Sequence, residues 1–340
     1  MKKYIAYFSL ALLLPVGSFG QSQFQLIKKT TIGGEGGWDY LSVDSKNRRV
    51  YISHSTQVEV LNADTHEKIG NIPALQGVHG VIAVPETGRG ITTNGRSNSC
   101  TIFDLKTLKP IVEVPTGKNP DALLYDPFSK RVFVFNHSDV TTTAIDIVEG
   151  KAVGTVDLGG TALEAGATDE AGTIFVNLED NNEIVSFDAK TLTVKNRWKI
   201  SPCEEPTGLA IDIKNKRLFS VCHSGLMMII DSEKGNIVAQ MPIGKRVDGV
   251  VFDSKLKMAF SSNGEGSITV VKEVSANEFK VLETIKTEVG AKTIALDPKT
   301  HHLFVSTAQY GETPAATTEN PNPRPKVLPG TFMVLEYGIK

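Results

Sequence analysis

The chain has little cysteine, no dominant charge and no second long apolar run. Three cysteines in 340 residues cannot staple a fold or build a zinc ribbon. Lys+Arg 36 against Asp+Glu 38 leaves a net charge of −2, which opposes nucleic-acid binding and an acidic disordered tail. No Cys-x-x-Cys-His occurs, so no covalent haem is expected. Gly-x-Ser-x-Gly, His-Glu-x-x-His, a phosphate-binding P-loop and an EF-hand-like loop are also missing. Ordinary serine hydrolases, zincins and nucleotide hydrolases lose support accordingly. What is present in quantity is turn formers, with 30 Gly and 16 Pro.

The one apolar run follows Met1-Lys2-Lys3, and small residues follow it up to Gly20. It is too short to span a bilayer and reads as a cleavable signal peptide over residues 1–20. No Cys follows the cut to take a lipid. The expectation is a periplasmic or secreted protein without a membrane span, a monomer, in a compartment that permits disulfides.

Residues 21–340 read as one domain built on a repeat. An apolar run ending in Asp or Pro recurs at Asp44, Pro85, Asp126, Asp169, Asp212, Asp253 and Asp297, at spacings of 41, 41, 43, 43, 41 and 44. A second landmark at Asn62, Asp104, Asp146, Asp188, Asp231 and Lys272 keeps the same period. Each unit holds four short β-type runs; in the third they fall at 122–125, 131–135, 142–147 and 153–158. Four strands per 40-odd residues is the arithmetic of a propeller blade. The fold class expected is an all-β seven-bladed propeller with four-stranded blades. The last unit stops at a third strand, 332–337, and a strand at 25–32 precedes the first unit. The amino-terminal strand should therefore complete the last blade and close the ring. Blade seven carries an insertion at 311–330 with five prolines, read either as a surface loop or as an ordered lid.

Several stretches resemble the YVTN-type, YncE-like family of exported seven-bladed propellers. They are Gly117-Lys118-Asn119-Pro120-Asp121-Ala122, residues 140–154, Cys203-Glu204-Glu205-Pro206-Thr207-Gly208-Leu209, and the tail Arg324-Pro325-Lys326 to Pro329-Gly330-Thr331-Phe332. No blade carries a literal Tyr-Val-Thr-Asn; Phe133-Val134-Phe135-Asn136 and Phe175-Val176-Asn177 come nearest. The resemblance implies the fold, and propellers host many functions.

Two loop sets of a propeller open on one face around the channel. Five residues before the first landmark stand Asp39, Gly80, Asp121, Glu164, Thr207, Asp248 and Lys292. Four of the seven are acidic, where ordinary composition gives about one. Trp38 and His79 lie one residue earlier than their set. The second loop set contributes His54, Asn94, Arg96, His137, Glu179, His223 and Tyr310. Together these are the candidate ligand-binding residues of a channel mouth. Asp39, His79, Asp121, Glu164, His223 and Asp248 are candidate ligands for a divalent metal, Ca, Mg or Zn. The other reading of the acids is turn capping. Cys203 and Cys222 map to the same face and read as a disulfide or, with His223, as a metal site. The functional expectation is a protein that binds a small polar or metal-containing ligand, or an exported protein partner. The alternative is a metal-dependent lactonase, hydrolase or lyase working from the same acidic rim. No catalytic residue is assigned.

Overall fold

The aspartates that mark each repeat are turn-forming residues. Asp146 accepts hydrogen bonds from the Val148 and Glu149 N–H groups at 2.9 and 2.8 Å, and Asp104, Asp188 and Asp231 do the same in their blades. The other landmark works likewise, with Asp253 accepting from the Lys255 and Leu256 N–H groups. A carboxylate that holds two backbone donors fixes a tight turn, so the repeat period is the period of the turns.

In the computed structural model, which describes residues 23–317, 323 and 325–339, these turns separate 28 strands, β1–β28 in chain order. The signal-peptide reading of 1–20 lies outside the described residues, as do 318–322 and 324 of the insertion. The strands form seven four-stranded antiparallel sheets, one per blade. The innermost strands are β2 (Trp38–Asp44), β6 (Val78–Val84), β10 (Pro120–Asp126), β14 (Leu163–Thr168), β18 (Pro206–Asp212), β22 (Val247–Asp253) and β26 (Ile294–Asp297). Each neighbours the innermost strand of the next blade, and β26 neighbours β2, so the ring closes around a central channel. Among the described residues no helix is long and apolar enough to cross a membrane.

Closure is by strand exchange between the ends. β1 (Phe24–Thr31) lies beside β28 (Met333–Ile339), pairing Phe24 with Ile339 and Thr31 with Met333. This removes two open sheet edges. The seam is pinned by Glu336, buried between His302 Nδ1 at 2.7 Å and His66 Nε2 at 3.0 Å.

The core is divided in the same sevenfold way. Each of seven apolar clusters draws side chains from two consecutive blades, such as Phe133 and Phe135 against Leu163 and Phe187. Blades thus bury their faces against each other rather than around one centre. Arginines add a clamp at the rim. Arg89 donates to Ile147 O and Val148 O, and Arg131 to Ala189 O and Lys190 O, each reaching the turn of the next blade at 2.7–2.9 Å.

Candidate functional site

Six of the seven inner strands begin with a β-bulge, seen as a register shift after their first residue. A bulge adds a residue and re-aims its side chain. Here it turns the second residue of each strand toward the channel. These residues are Asp39, His79, Asp121, Glu164, Thr207 and Asp248, with Lys292 preceding β26 in the seventh blade. Counting from the landmark named Gly80 in blade two, and this needs correction. β6 ends at Val84 rather than Pro85, so His79 holds the equivalent position. Gly80 is instead a packing glycine: a Cβ there would lie 2.2 Å from Leu123 and 3.0 Å from Asp121 O.

The four ring carboxylates do not cap turns. Asp39 lies 2.8 Å from His79 Nδ1 and 3.3 Å from Lys292 Nζ, and Lys292 also grips Asp248. Glu164 Oε1 lies 3.2 Å from His137 Nδ1, which also meets Leu163 O at 3.0 Å. Asp121 Oδ1 is 3.3 Å from His79 Nδ1, but that nitrogen carries at most one hydrogen and Asp39 stands closer. Asp121 Oδ1 is therefore buried with no hydrogen-bond donor. His79 is held close to the backbone: a Cβ on Gly95 would lie 2.7 Å from His79 Nε2 and 2.5 Å from Asn119 Oδ1.

The charges respond to this crowding. Burial, then repulsion from Asp39 and Glu164, pushes Asp121 up to about 8. Burial also raises Asp39, but Lys292 and His79 outweigh it, and Asp39 falls below the ordinary carboxylate value. Asp248 is raised by burial despite Lys292. His137 is raised to about 9, first by its hydrogen bond to Glu164. His79 is raised too, because Asp39 and Asp121 overcome its burial.

These groups make two sets with atoms within 4.8 Å of one another: Asp39, His79 and Asp121, then Asp121, His137 and Glu164. Asp121 belongs to both. Mixed imidazole and carboxylate donors suit zinc or manganese better than calcium or magnesium. His223 does not join them. It pairs with Glu205 at 2.9 Å and forms a third, more exposed set with Glu179 and Glu205. Asp248 lies outside all three sets and is neutralised by Lys292.

Other sequence candidates are placed elsewhere. His54 is buried under Phe332, their ring centroids 4.2 Å apart, with Glu59 at 3.6 Å. Asn94 is buried and donates to Thr101 Oγ1 at 2.8 Å, as Asn136 and Asn263 do to Thr143 and Thr269. Thr207 is buried and contacts backbone carbonyls. His54 and Asn94 serve the blades, and Thr207 keeps its ring position but spends its hydroxyl on the Val221 and Val247 carbonyls. Trp38 packs on Phe332 and Tyr310. Arg96 is exposed on a one-turn 3-10 helix, Gly95–Ser97. The base of the 311–330 insertion is ordered, with Gly311 N–H to Lys326 O at 2.8 Å and Gly330 N–H to Gly34 O at 3.2 Å. Cys203 and Cys222 are joined as a disulfide, with Cα atoms 5.6 Å apart. Cys100 is a buried free thiol whose pKa burial pushes up.

Sequence reasoning missed Tyr40. It belongs to blade one yet packs against the core between blades three and four, so its ring lies across the channel. Burial first, then the charges of Asp121, Glu164, Asp248 and Asp39, drives its phenol pKa well up. The only local signal was its place beside Asp39 at the bulge.

Against known proteins, no protein-family model matches the chain, and no curated protein sequence matches it. Solved structures do match. A chain of Kuenenia stuttgartiensis hydrazine synthase superposes with a TM-score of 0.69 at 15% identity, covering 86% of this chain and 96% of that one. A chain of a mitotic checkpoint complex superposes with a TM-score of 0.75 at 12% identity, covering 99% and 98%. At such identities the likeness is one of fold, the seven-bladed propeller.

Proposed function

We propose that this chain is an exported propeller of the YVTN-type, YncE-like kind that binds a small polar ligand at its channel mouth through a divalent cation. The carrying observation is Asp121, a carboxylate shared by two imidazole–carboxylate sets, whose buried Oδ1 lacks any donor. Burying such a group without a partner is costly, and a cation supplies the missing positive charge. Asp39, His79, Asp121, His137 and Glu164 would hold it. Lys292 would keep Asp248 and part of Asp39 neutral, which confines the negative charge to blades one to four. The signal-peptide signature and the family resemblance support export, and the rigid ring supports a preformed site.

Calorimetric titration of chelator-treated protein with zinc and manganese tests this. Binding should occur in the parent and fall at least about a hundredfold in Asp121→Asn, about 2.7 kcal/mol. Equal affinity in the two proteins would sink the proposal. One observation favours a second reading, a metal-dependent lactonase, hydrolase or lyase: Asp121 titrates near neutrality beside His79, as a general acid or base must. Turnover of lactones or esters that stops on chelation would establish it.

A further inference from the structure

The mouth is electrically lopsided. Asp39, Asp121 and Glu164 lie on blades one, three and four, Asp248 of blade six is paired with Lys292, and on the side of blades five and six lies a groove of about 480 Å³. His223, Ser224, Gly225, Ile243, Lys245 and Arg246 line it. It opens between the second-to-third-strand loop of blade five and the loop leading into β22. Lys245 and Arg246 are both exposed, and neither has a carboxylate partner among the described residues. Arg246 Nη2 touches only the Gly264 carbonyl, at 3.1 Å. Of the acids nearby, Glu265 accepts from Ser267 Oγ and Glu205 is paired with His223. The N–H groups of Lys245 and Arg246 make no hydrogen bond among the described residues, which leaves two backbone donors at the same turn.

Two features bear on how the patch is built and what it faces. Arg246 sits at φ +56, a left-handed conformation that favours glycine and costs other residues about 1–2 kcal/mol. The corresponding residue before the inner strand is also left-handed in other blades: Gly77 in blade two, Asn119 in blade three and Glu205 in blade five. Arg246 thus holds a position where glycine would fold more easily. The groove's charges also reach other residues of the mouth. Glu179 feels the charges of both His137 and His223, and Tyr310 those of Arg246 and Lys292.

We propose that this groove is an anion subsite for a carboxylate or phosphate group, formed by Lys245, Arg246 and His223 over the apolar floor of Ile243. His223 Nδ1 is committed to Glu205, leaving Nε2 for the ligand. The inference deepens the reading above, because it makes the ligand bipolar, with its cationic or metal-bearing end on the acids and its anionic end here.

The test uses metal-stripped full-length protein, so that failure of the cation reading leaves it untouched. Citrate and inorganic phosphate are titrated separately by calorimetry. At least one should bind, more weakly as salt is added, and the stronger of the two identifies the group. Arg246→Gly should lower that affinity at least about tenfold. Its thermal midpoint should match or exceed the parent's, because glycine suits the backbone there. Lys245→Ala gives an independent second loss. The proposal is overturned if neither anion binds at millimolar concentration, or if both variants bind as the parent does. Zinc titration of the Asp121 variant is a separate experiment, so either reading can fail alone.

Discussion

The two faces of this ring use the same residue types to opposite ends. On the face away from the mouth, Asp253 is gripped by His301 Nδ1 at 2.6 Å and by two backbone N–H groups. Asp297 is held by Arg48 at 2.6 Å, Thr300 at 2.8 Å and Ser45. Both carboxylates have donors close by, and Asp297 titrates below its ordinary value despite burial. On the mouth face four acids converge with no backbone donors, and one is pushed to about 8. An Asp–His pair is therefore no mark of function by itself. What separates Asp253 and Asp297 from Asp121 is whether the oxygens are satisfied.

That contrast can be broken by substitution. The largest effect is expected at Asp297→Ala, which strips Arg48 of a buried partner between blades seven and one. It should cost about 3–5 kcal/mol in urea unfolding. A loss below about 1 kcal/mol would mean that these acids are not structural.

Asp121→Asn should act in the opposite direction and stabilise the cation-free protein by about 1–3 kcal/mol at neutral pH. The sign follows from proton uptake. Folded Asp121 keeps its proton up to about 8, whereas the unfolded chain releases it near 3.8. The folded state binds the extra proton through that window, so parental stability falls as pH rises across it. The advantage of the Asn variant should grow over the same range and level off above it. A destabilised Asn variant would place Asp121 with the structural acids.

The smallest effect is expected at an exposed turn. Asp146→Ala loses two backbone hydrogen bonds that water can replace, at about 1 kcal/mol. A cost like that of Asp297→Ala would erase the distinction between capping and buried pairing.

The fold was legible in the sequence because its punctuation is local. An aspartate that holds the N–H groups two and three residues on acts within one turn, so counting aspartates counts blades. The inner ring could be read by offset because in five of the seven blades the inner strand runs five residues from its second position to its last. The count slipped only in blade two, where Val84 fills the aspartate place and Pro85 follows. Asn94 and its equivalents misled because their amides satisfy a threonine on the next strand, a pairing set by register. Tyr40 was invisible because its surroundings come from other blades, across the axis. The bare oxygen of Asp121 was equally hidden, since it depends on which of two acids His79 Nδ1 faces.

The seam has a consequence for when the molecule can exist. Thr31 must find Met333, and Phe24 must find Ile339. The first strand of the ring therefore waits, unpaired on its blade, until the far end of the domain is available. A chain still emerging from synthesis, or still threading through a narrow pore, holds consecutive hairpins but no closed ring. Completion is thus a late event that couples the two ends of the domain, with the slow kinetics of long-range pairing.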